Sequence, residues 1–487
     1  MIKATIIPAM ALFFVILASC DLFLNLKEDD DFDTLKEGYF YAQNLTNRSF
    51  YKVEGEKLWE GEKCVIWAEK GSGITRSAAQ SIAHEYDDKI RRLIVDKFSK
   101  KDFTEYYEGV TYHFDDMLDY ANWLVDGNDG KLTILLLDIQ DGFEPKNDNY
   151  SYVAGYFYAG DFYPKGKINN GNYYSNSRDM IYVDTYPGLT QPKQAFATFA
   201  HELQHLVNFV TYVQLEEKEG YTDTWVNEGL SAYAEYLYLG EHPEDKCEWL
   251  SNIHNQNTIA KGNNFFVWDN YRSNPLAILD DYATVYLFFF WMYLQADTGL
   301  QSSMFYDIIT SNYPDYRAVI DVAKKINPAW DNWADLLRTW LAANYYPKNT
   351  VYGYKGDALE EIIKINPIYV AGNKISLYPG EGVYSKINTP YSVANADNIR
   401  YAGLAANATT DVNVSSPYSG TLLTFNANTN NSAGRETGSL TGVSTSITIS
   451  RTAAENTRSE KWTRPYVIDA QDMLGRDQER LKARLPR

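Results

Sequence analysis

The sequence predicts an α+β fold followed by a small β-rich module, and three observations carry that prediction. From about Phe50 to Trp67, and again from Leu132 to Asp184, short apolar, aromatic and β-branched runs are bounded by turn residues, the pattern of strands. From about Gln191 to Asn344 the apolar residues recur at helical spacing instead. Beyond that, Val383 to Ile449 is rich in Ser, Thr, Asn and Gly, with β-like runs such as Thr421-Leu422-Leu423-Thr424-Phe425. Strands first and helices afterwards is the order of an α+β domain, not of alternating βαβ units. The 487 residues leave room for two to four domains at roughly 100–200 residues each. A hydrophobic content of 45 % with 15 % aromatics excludes a largely disordered chain. A net charge of −19 argues against nucleic acid or an anionic membrane surface as the main partner, since both would be repelled.

In chain order, Lys3 precedes an apolar run from Ile6 to Leu17 broken only by Pro8, too short to span a bilayer and suited to the apolar region of an export signal. Leu17-Ala18-Ser19-Cys20 looks like a bacterial lipobox, in which Cys20 is acylated and becomes the mature N-terminus. The plainer alternative is an ordinary signal with a chance cysteine. A lipid anchor at Cys20 implies the bacterial cell envelope, with residues 21–49, acidic from Lys27 to Asp33, as a solvated tether. Cys64 and Cys247 remain; export permits a disulfide between them without establishing one.

Strands are expected from about Phe50 to Trp67, and an amphipathic helix over Ser77 to Phe98, where Ile82, Tyr86, Ile90, Leu93 and Val95 share a face. Asp126-Gly127-Asn128-Asp129-Gly130 resembles the start of a calcium loop, but the required later glutamate is absent, so it reads as a turn. Leu132 to Ile139 is a buried strand, and Ser151 to Phe162 and Asp179 to Asp184 are further strands. A helix starts near Gln191 with Pro192 in its first turn, and others are expected at Asn227–Leu239, Asp281–Gln295 and Trp330–Asn344. The aromatic run Tyr286 to Tyr293 is far too short to span a membrane and belongs to a buried helix. The expected domains are therefore 50–354 and 355–450, with 451–487 as a charged tail.

The chemistry centres on His201-Glu202-Leu203-Gln204-His205. On a helix, residues four apart lie one turn apart on the same face, so both imidazoles reach one ion. Glu202 sits about 100° round from His201, able to reach a water at the metal without taking a ligand position. A catalytic zinc takes three protein ligands and keeps one position open. About 22 residues on, Trp225-Val226-Asn227-Glu228-Gly229 opens another helical segment, and Glu228 supplies the third ligand. Glu235 lies two turns beyond Glu228, placed to accept the outer N–H of a ligand histidine. His84-Glu85 lacks a second histidine four residues on and reads as a helix-face pair, while His113, His242 and His254 lack ligand spacing and read as surface or loop residues.

His201-Glu202-x-x-His205 with Asn227-Glu228-Gly229 resembles the gluzincin metallopeptidases, and more specifically the hyicolysin-like neutral zinc peptidases of bacteria. Lys131 to Gly142, Ala154-Gly155-Tyr156-Phe157 and Met180 to Asp184 support that resemblance, which covers roughly Phe50 to Tyr354. It implies a zincin-type catalytic domain, one zinc ion on His201, His205 and Glu228, support from Asn227 and Glu235, and Glu202 as the base that activates water. It further implies Tyr282 as donor to the developing oxyanion, with Tyr286 and Tyr221 as alternatives, and Ala154–Phe157 as the sheet edge that receives an extended peptide. Ala232 stands where the thermolysin pattern has aspartate, and Glu235 matches the aminopeptidase-like arrangement instead. No Gly-x-Met-Glu-Asn segment for gripping a substrate amino group is present, which favours an endopeptidase acting on protein substrates. The rival reading is a surface binding or adhesion lipoprotein that keeps the fold without turnover.

Overall fold

The computed structural model describes residues 36–143, 151–168, 173–216, 218, 221–251, 265–268, 278–348, 352–363, 365, 368–369, 374–393, 397–405, 408–411, 418–430, 436–441 and 464–466. Cys20, with the export-type leader, and His254 lie outside the described residues. The chain opens with β1 (Tyr39–Asn44), β2 (Ser49–Glu60) and β3 (Cys64–Glu69), paired antiparallel in that order. Phe40, Tyr41 and Ala42 are buried, so the end of the stretch read as a tether is part of the sheet. The helix expected over Ser77–Phe98 runs as α1 (Arg76–Glu85) and α2 (Arg91–Phe98), joined by a π turn at Tyr86–Ile90. Thr75 caps its start by accepting from the Ala78 N–H. A hairpin of β4 (Lys101–Tyr107) and β5 (Val110–Asp116) leads into α3 (Met117–Trp123). The Asp126–Gly130 segment is a turn, as its sequence implies.

Next come β6 (Leu132–Leu137), β7 (Ser151–Val153), β8 (Gly155–Phe157), β9 (Gly166–Ile168), β10 (Tyr173–Ser175) and β11 (Met180–Asp184). One six-stranded sheet has the order β1-β2-β3-β6-β11-β8, with β3, β6 and β11 parallel and β8 antiparallel at the edge. The period of two decides its faces. Leu132, Ile134, Leu136, Ile181 and Val183 join the large core beneath the helices, while Leu135, Leu137, Met180 and Tyr182 join a second cluster with Phe40 and Tyr156. The strand expected over Ser151–Phe162 stops at Phe157. A 3₁₀ turn at Ala159–Phe162 follows, in which the buried Asp161 carboxylate accepts from Asn176 Nδ2 (3.0 Å) and the Tyr182 hydroxyl (2.6 Å).

The helical half comprises α4 (Pro192–Phe209), α5 (Thr224–Leu239), α6 (Glu244–Leu250), α7 (Ile278–Gln295), α8 (Thr298–Ile309), α9 (Tyr316–Ile326), α10 (Trp333–Tyr345) and α11 (Leu359–Ile362). Helix α4 continues as a π turn to Leu215, and Gly240 ends α5 in the left-handed conformation (φ +69°). Helix α10 starts at Trp333 and not Trp330 because Asn332 Oδ1 caps it, accepting from the Asp335 N–H at 3.0 Å. Helices α3, α6, α8, α9 and α11 have no counterpart among the sequence expectations. No helix among the described residues is long and apolar enough to cross a membrane.

Seven further strands, β12 (Ile368–Tyr369), β13 (Lys374–Leu377), β14 (Gly382–Val393), β15 (Ile399–Ala405), β16 (Ala408–Asp411), β17 (Tyr418–Asn426) and β18 (Glu436–Thr441), form a second sheet. It is held against α10 by the Tyr384 hydroxyl donating to the Leu341 carbonyl (2.7 Å) and by the stacked Tyr345 and Tyr384 rings. A short strand β19 (Arg464–Tyr466) lies parallel to β7. Cys64 and Cys247 are both free thiols, so the disulfide that export would permit is not formed.

Candidate metal centre

Helices α4 and α5 pack side by side, and their contact brings three side chains together. His201 Nε2 lies 3.2 Å and His205 Nε2 3.6 Å from Glu228 Oε2. All three ligand atoms fall within 4.8 Å of one another, the one group among the described residues able to hold a metal ion. Four-coordinate zinc with bonds of about 2.0–2.1 Å separates its ligand atoms by about 3.3 Å, so the cluster has the right dimensions. None of the three is more than 1 % exposed, and Glu228 Oε1 is buried without a hydrogen-bond partner. Two imidazoles and a carboxylate gathered in the core are costly unless something binds them together. The donor set therefore fits zinc.

Electrostatics reinforce the grouping. Burial alone would raise the Glu228 pKa, but the imidazoles of His205 and His201 outweigh it and hold the carboxyl at about 2. Burial would lower that of His201, yet hydrogen bonds to Glu228 and Glu235 leave it raised. Both carboxylates are thus anionic in the core.

The outer nitrogens are held as well. His201 Nδ1 is 2.7 Å from Glu235 Oε1, which keeps Nε2 turned toward the cluster. His205 Nδ1 is 3.0 Å from Ser231 Oγ, whose single proton has Gln204 Oε1 and the Asn227 carbonyl as acceptors within reach. With Nδ1–H donating to Ser231, the Nε2 lone pair of His205 faces the cluster. Asn227 Oδ1 accepts from Asn208 Nδ2 (2.5 Å), so its support of Glu228 runs through the packing of α5 on α4. Two residues here carry no sequence signal. Ser231 is a common residue one turn past Glu228. Lys246 stands on a separate short helix, its ammonium 3.1 and 3.3 Å from the two Glu235 oxygens and 2.8 Å from Asp245 Oδ2.

Glu202 is fully buried on α4, and its flank faces β8: a Cβ at Gly155 would stand 3.3 Å from Glu202 Cγ. Tyr282, near the start of α7, is buried with its ring 6.4 Å from that of His201, edge-on to Trp268. The alternative Tyr286 is engaged elsewhere. Its hydroxyl is 2.5 Å from His242 Nδ1, whose Nε2 is 2.8 Å from Asp357 Oδ1. His242 lies in the loop between α5 and α6, within the expectation of a surface or loop residue, and is held there between Tyr286 and Asp357. Tyr221 stacks on Phe209 just ahead of α5. His84 and His113 are exposed, as expected.

No family model matches the chain. It is similar to the neutral metalloprotease ShpI of Staphylococcus hyicus, with 28 % identity over 266 residues that span 53 % of this chain and 52 % of that protein. The chain thus matches about half the length of that relative, and homology of this extent supports a metallopeptidase family.

Proposed function

We propose that the chain is a zinc-dependent endopeptidase that hydrolyses peptide bonds of extracellular or envelope proteins. The observation that carries the reading is the meeting of His201, His205 and Glu228 within 4.8 Å, with Glu202 one residue along the same helix. A zinc ion held by those three residues would supply Lewis acidity, polarising the scissile carbonyl and making water a better proton donor. Glu202 is the general base: it takes a proton from the attacking water and returns it to the leaving amine nitrogen. Glu235 and Ser231 keep the two imidazoles in the orientation and tautomer that this requires.

A peptide substrate is supported by β8. Among the described residues it ends its sheet and passes beside Glu202, so an extended peptide can add to its outer edge through backbone hydrogen bonds. The Tyr282 phenol, beside His201, is the candidate donor to the developing oxyanion. The similarity to a protein named as a neutral metalloprotease points the same way.

The test is digestion of unstructured casein by the protein lacking residues 1–20, with and without a zinc chelator, beside Glu202→Gln. Expected are internal cuts by mass spectrometry that the chelator abolishes. Glu202→Gln should lose at least about 10²-fold in rate while keeping zinc. Full turnover by Glu202→Gln would overturn the base assignment. A wild-type protein that binds zinc stoichiometrically yet cuts nothing would favour the binding-lipoprotein reading.

A further inference from the structure

We propose that Lys246 is a positioning residue of the metal centre: its ammonium holds the Glu235 carboxylate against His201 Nδ1, and through it sets the imidazole whose other nitrogen faces the metal. The proposal rests on the reading of His201 as a zinc ligand. Lysine is almost never buried without a partner, yet Lys246 is 6 % exposed. Its ammonium straddles both oxygens of Glu235, at 3.3 Å from Oε1 and 3.1 Å from Oε2. Oε1 is the oxygen that also meets His201 Nδ1, at 2.7 Å. The carboxylate is therefore gripped from one side by a cation on α6 and from the other by the imidazole on α4, and its plane has little freedom. Asp245 Oδ2, 2.8 Å from the same ammonium, steadies the lysine.

The same cation lies 5.8 Å from the centre of the Tyr282 ring on α7. It thus borders two groups that flank His201.

Two effects of the lysine on a bound metal have opposite signs. As a bare charge it repels a dication, so removing it would tighten binding. As a positioning residue it keeps Glu235 aligned on His201, so removing it would loosen binding, and outer partners of this kind typically carry about 10–100-fold in metal affinity. The sign of the change separates them.

The experiment measures the zinc dissociation constant by competition with a chromophoric chelator for the wild type, Lys246→Met, Glu235→Gln and the double variant. Thermal melting of each metal-free form controls for folding. The expected result is about a tenfold loss for Lys246→Met, and a double variant no weaker than Glu235→Gln alone, because the lysine acts through that carboxylate. Cobalt substituted for zinc should show a shifted visible band in Lys246→Met, which a merely structural role would not produce. Unchanged or tighter zinc binding by Lys246→Met would overturn the proposal. If Lys246→Met does not fold, the double variant, which removes both buried charges, decides: affinity below that of Glu235→Gln refutes action through Glu235. A wild type that binds no zinc would instead remove the metal-centre reading itself.

Discussion

Replacing Gly155 by alanine puts one methyl group where three elements meet. The new Cβ would lie 2.9 Å from Thr198 Cγ2 on α4, 2.9 Å from the Tyr182 carbonyl on β11 and 3.3 Å from Glu202 Cγ. Non-bonded carbons rest at about 3.5–4.0 Å, so roughly half an ångström of extra room is needed. Gly155 is not among the glycines with positive φ, so the cost is space and not backbone conformation. The Tyr182 oxygen is backbone of a central strand paired on both sides, and Thr198 is buried, so neither yields readily. Relief comes from lifting β8 off α4. Overpacking of this kind costs about 1–3 kcal/mol, a fall in Tm of a few degrees. For catalysis the lift matters more: a misplacement of about 1 Å costs about 10²-fold, so half of that should cost about tenfold in kcat/KM. Zinc content should not change, because the ligands belong to α4 and α5. The assay is kcat/KM on an internally quenched peptide, beside a melting curve and metal analysis. A lowered Tm with kcat/KM within twofold of wild type would refute β8 as the substrate platform. No change in either would mean that β8 does not lie against Glu202 at all.

Two other outcomes are expected. His205→Ala should lose zinc on dialysis, because only His201 and Glu228 would remain of the three ligands; retention of one ion per chain in metal analysis would contradict the assignment. Burial pushes the Asp161 carboxyl up to about 7 despite hydrogen bonds from Tyr182 and Asn176, and Asp184 is raised to about 7, again mainly by burial. A raised folded-state pKa means that stability is fully present below the unfolded value of about 4 and is lost as pH climbs toward about 7. Asp161→Asn cannot ionise, so its stability should fall less steeply across that window, by an amount on the order of a few kcal/mol. Urea unfolding at several pH values checks this, and parallel profiles for the two proteins would refute it.

The parts of the site legible in the sequence are those set by local geometry. His201 and His205 are visible because a helix puts residues four apart on one face, and Glu235 because seven residues make two turns from Glu228. Glu228 is legible less directly, from the need of a catalytic zinc for a third ligand and a loop long enough to fold a second helix back on the first. Ser231 and Lys246 stayed hidden, the one because serine is commonplace in helices, the other because its contact depends on how α6 docks. The buried strand β6 could be read from its unbroken apolar run, whereas β1 was masked by the acidic stretch before it. The strand expected through Phe162 ends early because Asp161 turns inward to partners on Asn176 and Tyr182, a tertiary contact that no propensity reports. The loop position of His242 was legible, but its partners Tyr286 and Asp357 were not, because they lie far off in the chain.

The adjacency of α4 and α5 has a further consequence for how such a centre assembles. Between His205 and Glu228 the chain closes a ring of only 22 residues. The length-dependent entropy of closing it is about 3 kcal/mol, small beside the roughly 10–16 kcal/mol that structural zinc sites release in small peptides. The helix pair therefore has low contact order, unlike β1, which must wait for Asn176, or the second sheet, which must wait for α10. Folding can reach a metal-competent helical hairpin early, with the long-range strands closing round it afterwards.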